Sequence, residues 1–201
     1  MSNSPKKIAG VILAAGTSTR MGKTKQLLPF KNTTILGQVI NNARASKLDE
    51  IIVVTGHDQE RILQTIDFTN ITIATNHNYK KGQSSSLIKG MEKISSQSDA
   101  AMFLLADQPL VTHSIIDLMI NAFTNSPKSI AIPYCNNMRG NPVIIARPFF
   151  PHIKALSGDT GARDLFNQFR ESILKITIPD KAILMDIDTK DDYEKLISEK
   201  S

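Results

Sequence analysis

A loop of small and cationic residues follows the first apolar run of the sequence. The run IAGVIL, Ile8 to Leu13, leads into AAGTSTRMGKTK at residues 14–25. Small side chains let a backbone approach a base or a phosphate closely. Within the loop, Arg20 offers a planar fork for phosphate oxygens and Lys25 a compact point charge. The segment predicts a phosphate-binding loop, and the alternative is an exposed loop with solvated cations.

The end of this loop imitates a P-loop. A P-loop has four residues between its first glycine and Gly-Lys-Thr, whereas five separate Gly16 from Gly22 here. A P-loop also continues into a helix, where Pro29, within about two turns of Lys23, would cost about 3 kcal/mol. Spacing and proline together disfavour a P-loop built on Lys23.

Carboxylates follow two later apolar runs. Asp107 ends AAMFLLAD, the most apolar run, and Asp186 and Asp188 end the segment AILMDID. A hard Mg²⁺ ion prefers one or two carboxylates together with substrate phosphates and water. We therefore expect Asp107, and also Asp188, to bind Mg²⁺. The alternatives are a turn or helix-capping role for Asp107 and a purely structural role for Asp188.

Composition restricts the class of protein. The chain has 201 residues, 41% hydrophobic and 21% charged, which is typical of a soluble globular protein and predicts one domain over residues 1–201. A single cysteine, Cys135, suits a reducing cytoplasm. The net charge of +5 fits anionic small substrates. Scattered basic residues and the lack of Trp argue against nucleic acid as a partner, and no stretch is long enough for a membrane span.

The order of apolar and helix-period segments predicts an α/β fold. We expect a three-layer α/β/α sandwich with a Rossmann-like, mostly parallel sheet and AAMFLLAD at its centre. Caps are predicted at Thr33-Thr34, at Asp58 and, as a capping box, at Thr189 with Asp192. The predicted strands cover residues 8–13, 50–56, 71–75, 100–107, 141–146, 172–178 and 182–187. The predicted helices cover residues 35–46, 58–66, 84–94, 158–169 and 190–200.

The first loop also resembles a known signature. Residues 13–29, LAAGTSTRMGKTKQLLP, are similar to the pattern L-A-A/G-G-x-S-x-R-M-G-x-x-K of the MobA-like nucleotidyltransferases, most of all the MocA-type molybdenum cofactor cytidylyltransferases. The resemblance implies a fold like that of nucleotide-diphospho-sugar transferases and gives Arg20 and Lys25 catalytic roles. Lys23 falls on a variable position. The nucleotide-binding residues that it implies here are Leu13, Ala14, Ala15 and Gly16.

Two further segments resemble the metal-binding and base-binding parts of this family. LLADQP implies that Asp107 binds metal, and MDIDTKDDYEKL resembles D-I-D-T-P-E-D-Y, which implies Asp188 as a second metal ligand. KKGQSSSL resembles a Gly-x-x-x-Ser-Leu segment that lies over the base, which implies roles for Gln83, Ser84 and Ser86. For the serines, helix capping is the alternative.

The second half resembles the acceptor side of the family. RGNPVIIARPFFP is similar to a Gly-His-Pro-Val segment, with Asn141 in place of histidine, which puts any role specific to an imidazole in doubt. LSGDTGARDLF is similar to the loop that faces the acceptor, which implies Asp159 and Arg163 as substrate-binding residues. A surface arginine at a helix start is the alternative for Arg163.

The resemblance implies transfer of CMP from CTP to a molybdopterin-type molybdenum cofactor, with Mg²⁺ as cofactor and pyrophosphate released. Ala14 and Ala15 stand where guanylyl-transferring relatives tend to carry Gly-Gly, which favours the smaller pyrimidine. A molybdenum hydroxylase of the xanthine dehydrogenase type is an implied partner, in the cytoplasm. The alternatives are another phosphorylated acceptor, such as a sugar or alditol phosphate, and a cofactor carrier without catalysis.

Overall fold

Apolar runs rich in β-branched residues form the strands, and amphipathic segments between them form the helices. The computed structural model describes residues 6–158 and 161–198, and of Arg20 only the backbone. The strands are β1 (Ile8–Leu13), β2 (Pro29–Phe30), β3 (Thr33–Thr34), β4 (Glu50–Thr55), β5 (Thr72–Thr75), β6 (Ala100–Leu105), β7 (Ile130–Cys135), β8 (Met138–Arg139), β9 (Val143–Ala146) and β10 (Ile173–Thr177). The helices are α1 (Ile35–Arg44), α2 (Gln59–Thr65), α3 (Gln83–Met91), α4 (His113–Thr124), α5 (Phe150–Lys154), α6 (Arg163–Gln168) and α7 (Lys190–Ser198).

Eight of these strands make one mostly parallel sheet. Its order is β10-β7-β9-β6-β1-β4-β5, with β8 paired to β7. β9 runs antiparallel between β6 and β7, and β8 is antiparallel to β7, whereas the other pairs are parallel. The predicted sheet and the central place of β6 are confirmed. The carboxyl ends of β1, β4 and β6 therefore meet at one edge, where open α/β sheets bind ligands.

Helices cover both faces of this sheet. The alternation along β1 sends Ile8 and Ile12 to a core shared with α1, α2 and α4. It sends Ala9 and Val11 to a second core shared with α3, α5 and α6. The predicted three-layer sandwich is confirmed. None of the helices in the described part of the chain is both long enough and apolar enough to cross a bilayer.

The segment after the first loop is a hairpin, not the helix of a P-loop. Residues Lys25–Leu27 make one 3-10 turn, and the chain enters β2 at Pro29. β2 pairs with β3, and α7 packs on this hairpin, where the Tyr193 hydroxyl donates to the Pro29 carbonyl at 2.7 Å. The argument from spacing and proline against a P-loop is confirmed.

Two of the three predicted caps are present. The Thr34 hydroxyl accepts from the Gly37 amide at 3.0 Å and begins α1. Before α7, the Asp192 carboxylate accepts from the Thr189 amide at 2.8 Å, and the Thr189 hydroxyl accepts from the Asp192 amide at 3.2 Å. Asp58 occupies the N-cap position of α2 with a φ of 55°, but its side chain makes no capping hydrogen bond.

The predicted strand at residues 182–187 is also wrong. Lys181–Leu184 forms a 3-10 turn, because the Asp180 carboxylate accepts from the Ala182 amide at 2.8 Å and caps it. The Ile183 carbonyl then accepts from the Asn141 amide at 3.0 Å instead of joining a strand ladder. The apolar residues of this run fill the core beside β7 and leave residues 186–188 irregular.

We predict that Gly90→Ala destabilises the fold by about 1–3 kcal/mol, the usual cost of overpacking. A Cβ there would lie 2.4 Å from Val11 Cγ1 and 3.0 Å from Val54 Cγ2, so α3 could not sit as close to the sheet. Helix propensity alone predicts the opposite sign, by about 1 kcal/mol. Urea unfolding measures the change, with exposed Lys93→Ala as the control. Equal or higher stability of Gly90→Ala would contradict close helix-sheet packing.

Candidate active site

A cleft of about 760 Å³ opens at the carboxyl edge of the sheet. The loop after β1, the end of β6, the start of α3, the segment from β8 to β9, α6 and residues 186–188 form its walls. The residues predicted from the sequence that line it are Leu13, Ala15, Gly16, Lys25, Gln83, Ser86, Asp107, Asn141, Arg163 and Asp188. Their roles in binding or catalysis stay predictions, but the fold brings them to one place.

Two predicted residues do not line the cleft, and two others lie outside the described part of the structure. Ala14 and Ser84 are buried, at 1% and 3% exposure, and neither lines the cleft. Ser84 contributes its amide to loop packing by donating to the Gly158 carbonyl at 3.2 Å. Asp159 and the side chain of Arg20 lie outside the described part of the structure.

Lys25 lies between two carboxylates on the floor of the cleft. Its Nζ is 2.5 Å from Asp107 Oδ2 and 3.0 Å from Asp188 Oδ1. Burial disfavours the ammonium, but the charges and hydrogen bonds of Asp107 and Asp188 outweigh it and raise the pKa of Lys25. Lys25 is therefore a fixed cation at the point where the two predicted metal ligands converge.

A third carboxylate, Asp186, lies beside this group. The Gln108 side-chain amide donates to Asp186 Oδ1 at 2.6 Å. Burial, with the negative charge of Asp107 second, raises the pKa of Asp186 to about 6. The sequence analysis noted Asp186 without giving it a role. Its position beside Asp188 after an apolar run was the available signal.

The floor of the cleft fits a hard divalent cation. Asp107 Oδ1 is buried and has no hydrogen-bond partner among the described residues. Asp107 and Asp188 already direct oxygens at one positive group, the ammonium of Lys25. The described residues include no cluster of three or more His, Cys, Asp or Glu side chains able to hold a metal. A Mg²⁺-type ion bound with substrate phosphates requires only one or two carboxylates, so the fit holds.

A buried amide that the sequence analysis missed closes the first loop on itself. Gln26 is 2% exposed, and its Nε2 donates to the carbonyls of Ala14 and Gly16, each at 3.2 Å. Its Oε1 accepts from the Ser18 hydroxyl at 3.2 Å. These bonds satisfy buried polar groups at the turn and fix the backbone just before Lys25. Glutamine after a loop lysine carries no sequence signal for this role.

A second contact holds the loop from the outside. The buried Thr24 hydroxyl donates to the Asp58 carboxylate, whose Oδ2 also pairs with Arg61 Nη1 at 2.6 Å. We call Thr24, Asp58 and Arg61 the Asp58 latch. It ties the residue next to Lys25 to the start of α2, and it explains why the carboxylate does not cap that helix.

Two arginines lie in another wall of the cleft. Arg139 is in β8 and Arg163 begins α6, and both line the cleft. The Arg139 Cζ is 5.1 Å from the centroid of the Phe166 ring, a cation–π geometry. Partial loss of water, and then the charge of Arg163, lower the pKa of Arg139. We call Arg139, Arg163 and Phe166 the arginine wall. Arg139 was missed by the sequence analysis.

Comparison with known proteins now decides the family. A family model described as the MobA-like NTP transferase domain matches residues 10–173, most of the chain. The chain belongs to the MobA-like NTP transferase family. This confirms the resemblance of the first loop and makes the chain a nucleotidyltransferase.

Relatives of this transferase carry different names. This chain is 29% identical to the purine catabolism protein PucB of Bacillus subtilis, over 93% of this chain and 94% of PucB. It is 28% identical to the molybdenum cofactor cytidylyltransferase of Escherichia coli, over 91% and 92%. It is 24% identical to the nicotine blue oxidoreductase of Paenarthrobacter nicotinovorans, over 94% and 96%. The family is thus shared by proteins named for different substrates.

Solved structures of similar proteins confirm the fold of the transferase. The Rv0371c protein of Mycobacterium tuberculosis H37Rv superimposes with a TM-score of 0.89 at 26% identity, over 97% of this chain and 99% of that one. A homologue from Mycobacterium sp. strain JC1 gives 0.85 at 30% identity, over 96% of both chains. A complex of Rv0371c with manganese gives 0.83 at 24% identity, over 97% and 100%.

We predict that Asp58→Ala lowers turnover by between about tenfold and a hundredfold, because small misplacements of a catalytic group are costly. Release of Thr24 would loosen the loop that positions Lys25. Steady-state kinetics and hydrogen exchange at the amides of residues 24–27 measure the two effects. Asp58→Asn is the matched control, since asparagine keeps an acceptor oxygen and tolerates positive φ. Wild-type kinetics and exchange in Asp58→Ala would exclude the latch from loop positioning.

Proposed function

We propose that this nucleotidyltransferase moves CMP from CTP onto the phosphate of a molybdopterin-type cofactor and releases pyrophosphate. The observation that carries the proposal is the convergence of Lys25, Asp107 and Asp188 on the floor of the cleft. The Escherichia coli relative, a molybdenum cofactor cytidylyltransferase that matches along nearly all of both chains, supports the choice of acceptor. We also propose that residues 1–201 form one domain and that the reaction takes place in the cytoplasm.

The reaction exchanges one phosphorus–oxygen bond for another. An oxygen of the acceptor phosphate attacks the α-phosphorus of CTP, and the bond from that phosphorus to the bridging oxygen breaks. Pyrophosphate leaves with the electron pair. A phosphate monoester is already anionic near pH 7, so its attack needs no general base. The lining of the cleft agrees, since its described residues include no histidine.

Positioning and charge neutralisation supply the catalysis in this proposal. Asp107 and Asp188 would hold Mg²⁺, which neutralises charge on the phosphates when bound. Lys25 is fixed by these carboxylates. In the proposal, its ammonium stabilises the charge that increases on the transferring phosphoryl group. Arg20 has the same role in the proposal, from the preceding turn of the loop.

The sequence of the first loop supports a pyrimidine. Ala15 lines the cleft but is only 2% exposed, and a Cβ built on Gly56 would lie 2.8 Å from the Ala15 Cβ, so the methyl group packs in the core beneath the cleft. The preference for CTP therefore rests on Ala14 and Ala15, which stand where guanylyl-transferring relatives tend to carry Gly-Gly. Gln83 and Ser86 line the same region and offer polar atoms to the edge of a base.

Two other functions stand beside this proposal. The different names of the relatives favour testing another phosphorylated acceptor, such as a sugar or alditol phosphate. A carrier role, with delivery of the cofactor to a molybdenum hydroxylase of the xanthine dehydrogenase type, is compatible with the same cleft. The carrier binds cofactor without releasing pyrophosphate, so one assay separates the two roles.

We predict that Lys25→Ala and Asp107→Ala each lower turnover at least about a hundredfold, as expected when one electrostatic contact to a transition state is lost. Lys23→Ala is the control, because Lys23 is exposed and does not line the cleft, and it should cost less than about tenfold. Pyrophosphate release is the measurement, with EDTA and added Mg²⁺ to test the metal. A larger loss at Lys23 than at Lys25 would reverse the assignment of the catalytic lysine.

With molybdenum-loaded molybdopterin, we expect pyrophosphate release from CTP and not from GTP or ATP, because Ala14 and Ala15 stand where guanylyl-transferring relatives tend to carry Gly-Gly, which favours the smaller pyrimidine. Ala15→Gly should increase the use of GTP relative to CTP. Release from GTP alone by the wild-type protein would reject the pyrimidine argument and leave the floor of the cleft unaffected. No release from any nucleotide would reject the acceptor, and a panel of phosphorylated sugars and alditols would follow.

A further inference from the structure

The arginine wall differs in origin from the loop that carries Lys25. The loop follows β1, on one side of the central strand β6, whereas Arg139 belongs to β8, which pairs with β7 on the other side. Arg163 comes from α6, and Phe166 lies one turn further along that helix. Two positively charged groups of the cleft therefore come from elements other than the strand and loop that carry Lys25. One of them, β8, lies on the opposite side of β6 from β1.

Neither arginine of the wall has a counter-charge among the described residues. The carboxylates in ion pairs there pair with Lys25, Arg44, Arg61 and Lys89. The floor is different, because Asp107 and Asp188 compensate Lys25. The wall therefore brings two positive charges to the cleft without an ion pair among the described residues, and the exposed Lys80, which also lines the cleft, is a further cation of this kind.

The positive charge of Arg163 lies near enough to the Arg139 guanidinium to disfavour its protonated form. Arg139 is exposed, and the contact of its guanidinium with the Phe166 ring at 5.1 Å orients that group along the wall. The charge of Arg163 is one of the causes that lower the pKa of Arg139, which stays protonated as arginine does. A bound anion with more than one negative charge would relieve this repulsion.

A phosphate monoester matches the wall in charge and in shape. It carries about 1.5 to 2 negative charges at pH 7 and three acceptor oxygens, and guanidinium groups bind such oxygens in pairs. A carboxylate has one charge and would leave one arginine uncompensated. The planar group of Arg139, already oriented by Phe166, can present two N–H donors to one phosphate.

The chemistry decides which of the two phosphate groups binds there. In phosphoryl-type transfer the attacking and leaving oxygens lie roughly in line on opposite sides of the phosphorus. In the proposed function the loop after β1 holds the leaving pyrophosphate, so the attacking phosphate must approach from another wall. We infer that Arg139 and Arg163 bind the phosphate monoester of the acceptor, an inference that rests on the proposed function.

The first test compares kinetic constants of arginine variants. We expect Arg139→Gln and Arg163→Gln each to raise KM for the acceptor about tenfold to a hundredfold, the effect of losing a hydrogen bond to a charged group, and to leave KM for CTP unchanged. Arg139→Lys should be intermediate, because lysine keeps the charge and loses the fork. Arg170→Gln is the control, since Arg170 is exposed and does not line the cleft. A rise in KM for CTP alone, or no change in either KM, overturns the inference.

The second test is independent of the acceptor. Inorganic phosphate is titrated by calorimetry into protein saturated with a non-hydrolysable CTP analogue, which occupies the nucleotide side. We expect the wild type and Arg170→Gln to bind phosphate, and Arg139→Gln and Arg163→Gln to lose this binding. Equal binding by all variants, or none by the wild type, overturns the inference. If phosphate binding depends on the two arginines while molybdopterin gives no pyrophosphate release, the result supports the arginine wall as a phosphate site and rejects molybdopterin as the acceptor.

Discussion

The ammonium of Lys25, held between the carboxylates of Asp107 and Asp188, is the interaction on which the cleft depends. The lysine is 82 residues from one carboxylate and 163 from the other, so only the complete sheet brings them together. Their side chains are 13%, 17% and 33% exposed, and charges so removed from water are stable only when paired with good geometry. Any shift of the loop or of residues 186–188 would leave a partly buried charge without compensation.

The supports around this group follow from the same requirement. The loop before Lys25 has no strand or α-helix of its own, so it lacks the backbone hydrogen bonds of a regular element. Hydrogen bonds from Gln26 and the Asp58 latch hold the loop instead. On the other side, Gln108 binds Asp186, and the Ile187 amide donates to the Asp107 carbonyl at 3.2 Å. Both segments that carry charge to the floor are thus fixed by side-chain and long-range backbone hydrogen bonds, which make irregular backbone rigid enough to position charges.

Local sequence patterns predicted the strands, helices and caps of the framework, but they did not predict the long-range contacts that position the site. The buried runs at β1, β4 and β6, and the caps at Thr34 and Thr189, are decided within a few residues, and the structure confirms them. The run at residues 182–187 has a strand-like pattern, but the Asp180 cap begins a 3-10 turn there, and long-range hydrogen bonds to the Ile183 carbonyl take the place of a strand ladder. Arg139 was missed for the same reason, because its neighbours Phe166 and Arg163 are remote in sequence and adjacent only in the fold.

The cleft separates charge in a way that suits a reaction between two anions. On its floor, the carboxylates of Asp107 and Asp188 pair with one ammonium and Asp186 lies beside them, so this part requires a further cation before it can hold phosphates. The arginine wall already has an excess of positive charge and can bind an anion without a metal. Such a division lets two mutually repelling substrates bind side by side, each on its own cations. In this proposal the floor acts in the same way whichever acceptor is used. The wall contacts only the acceptor, so its residues would determine which acceptor is bound.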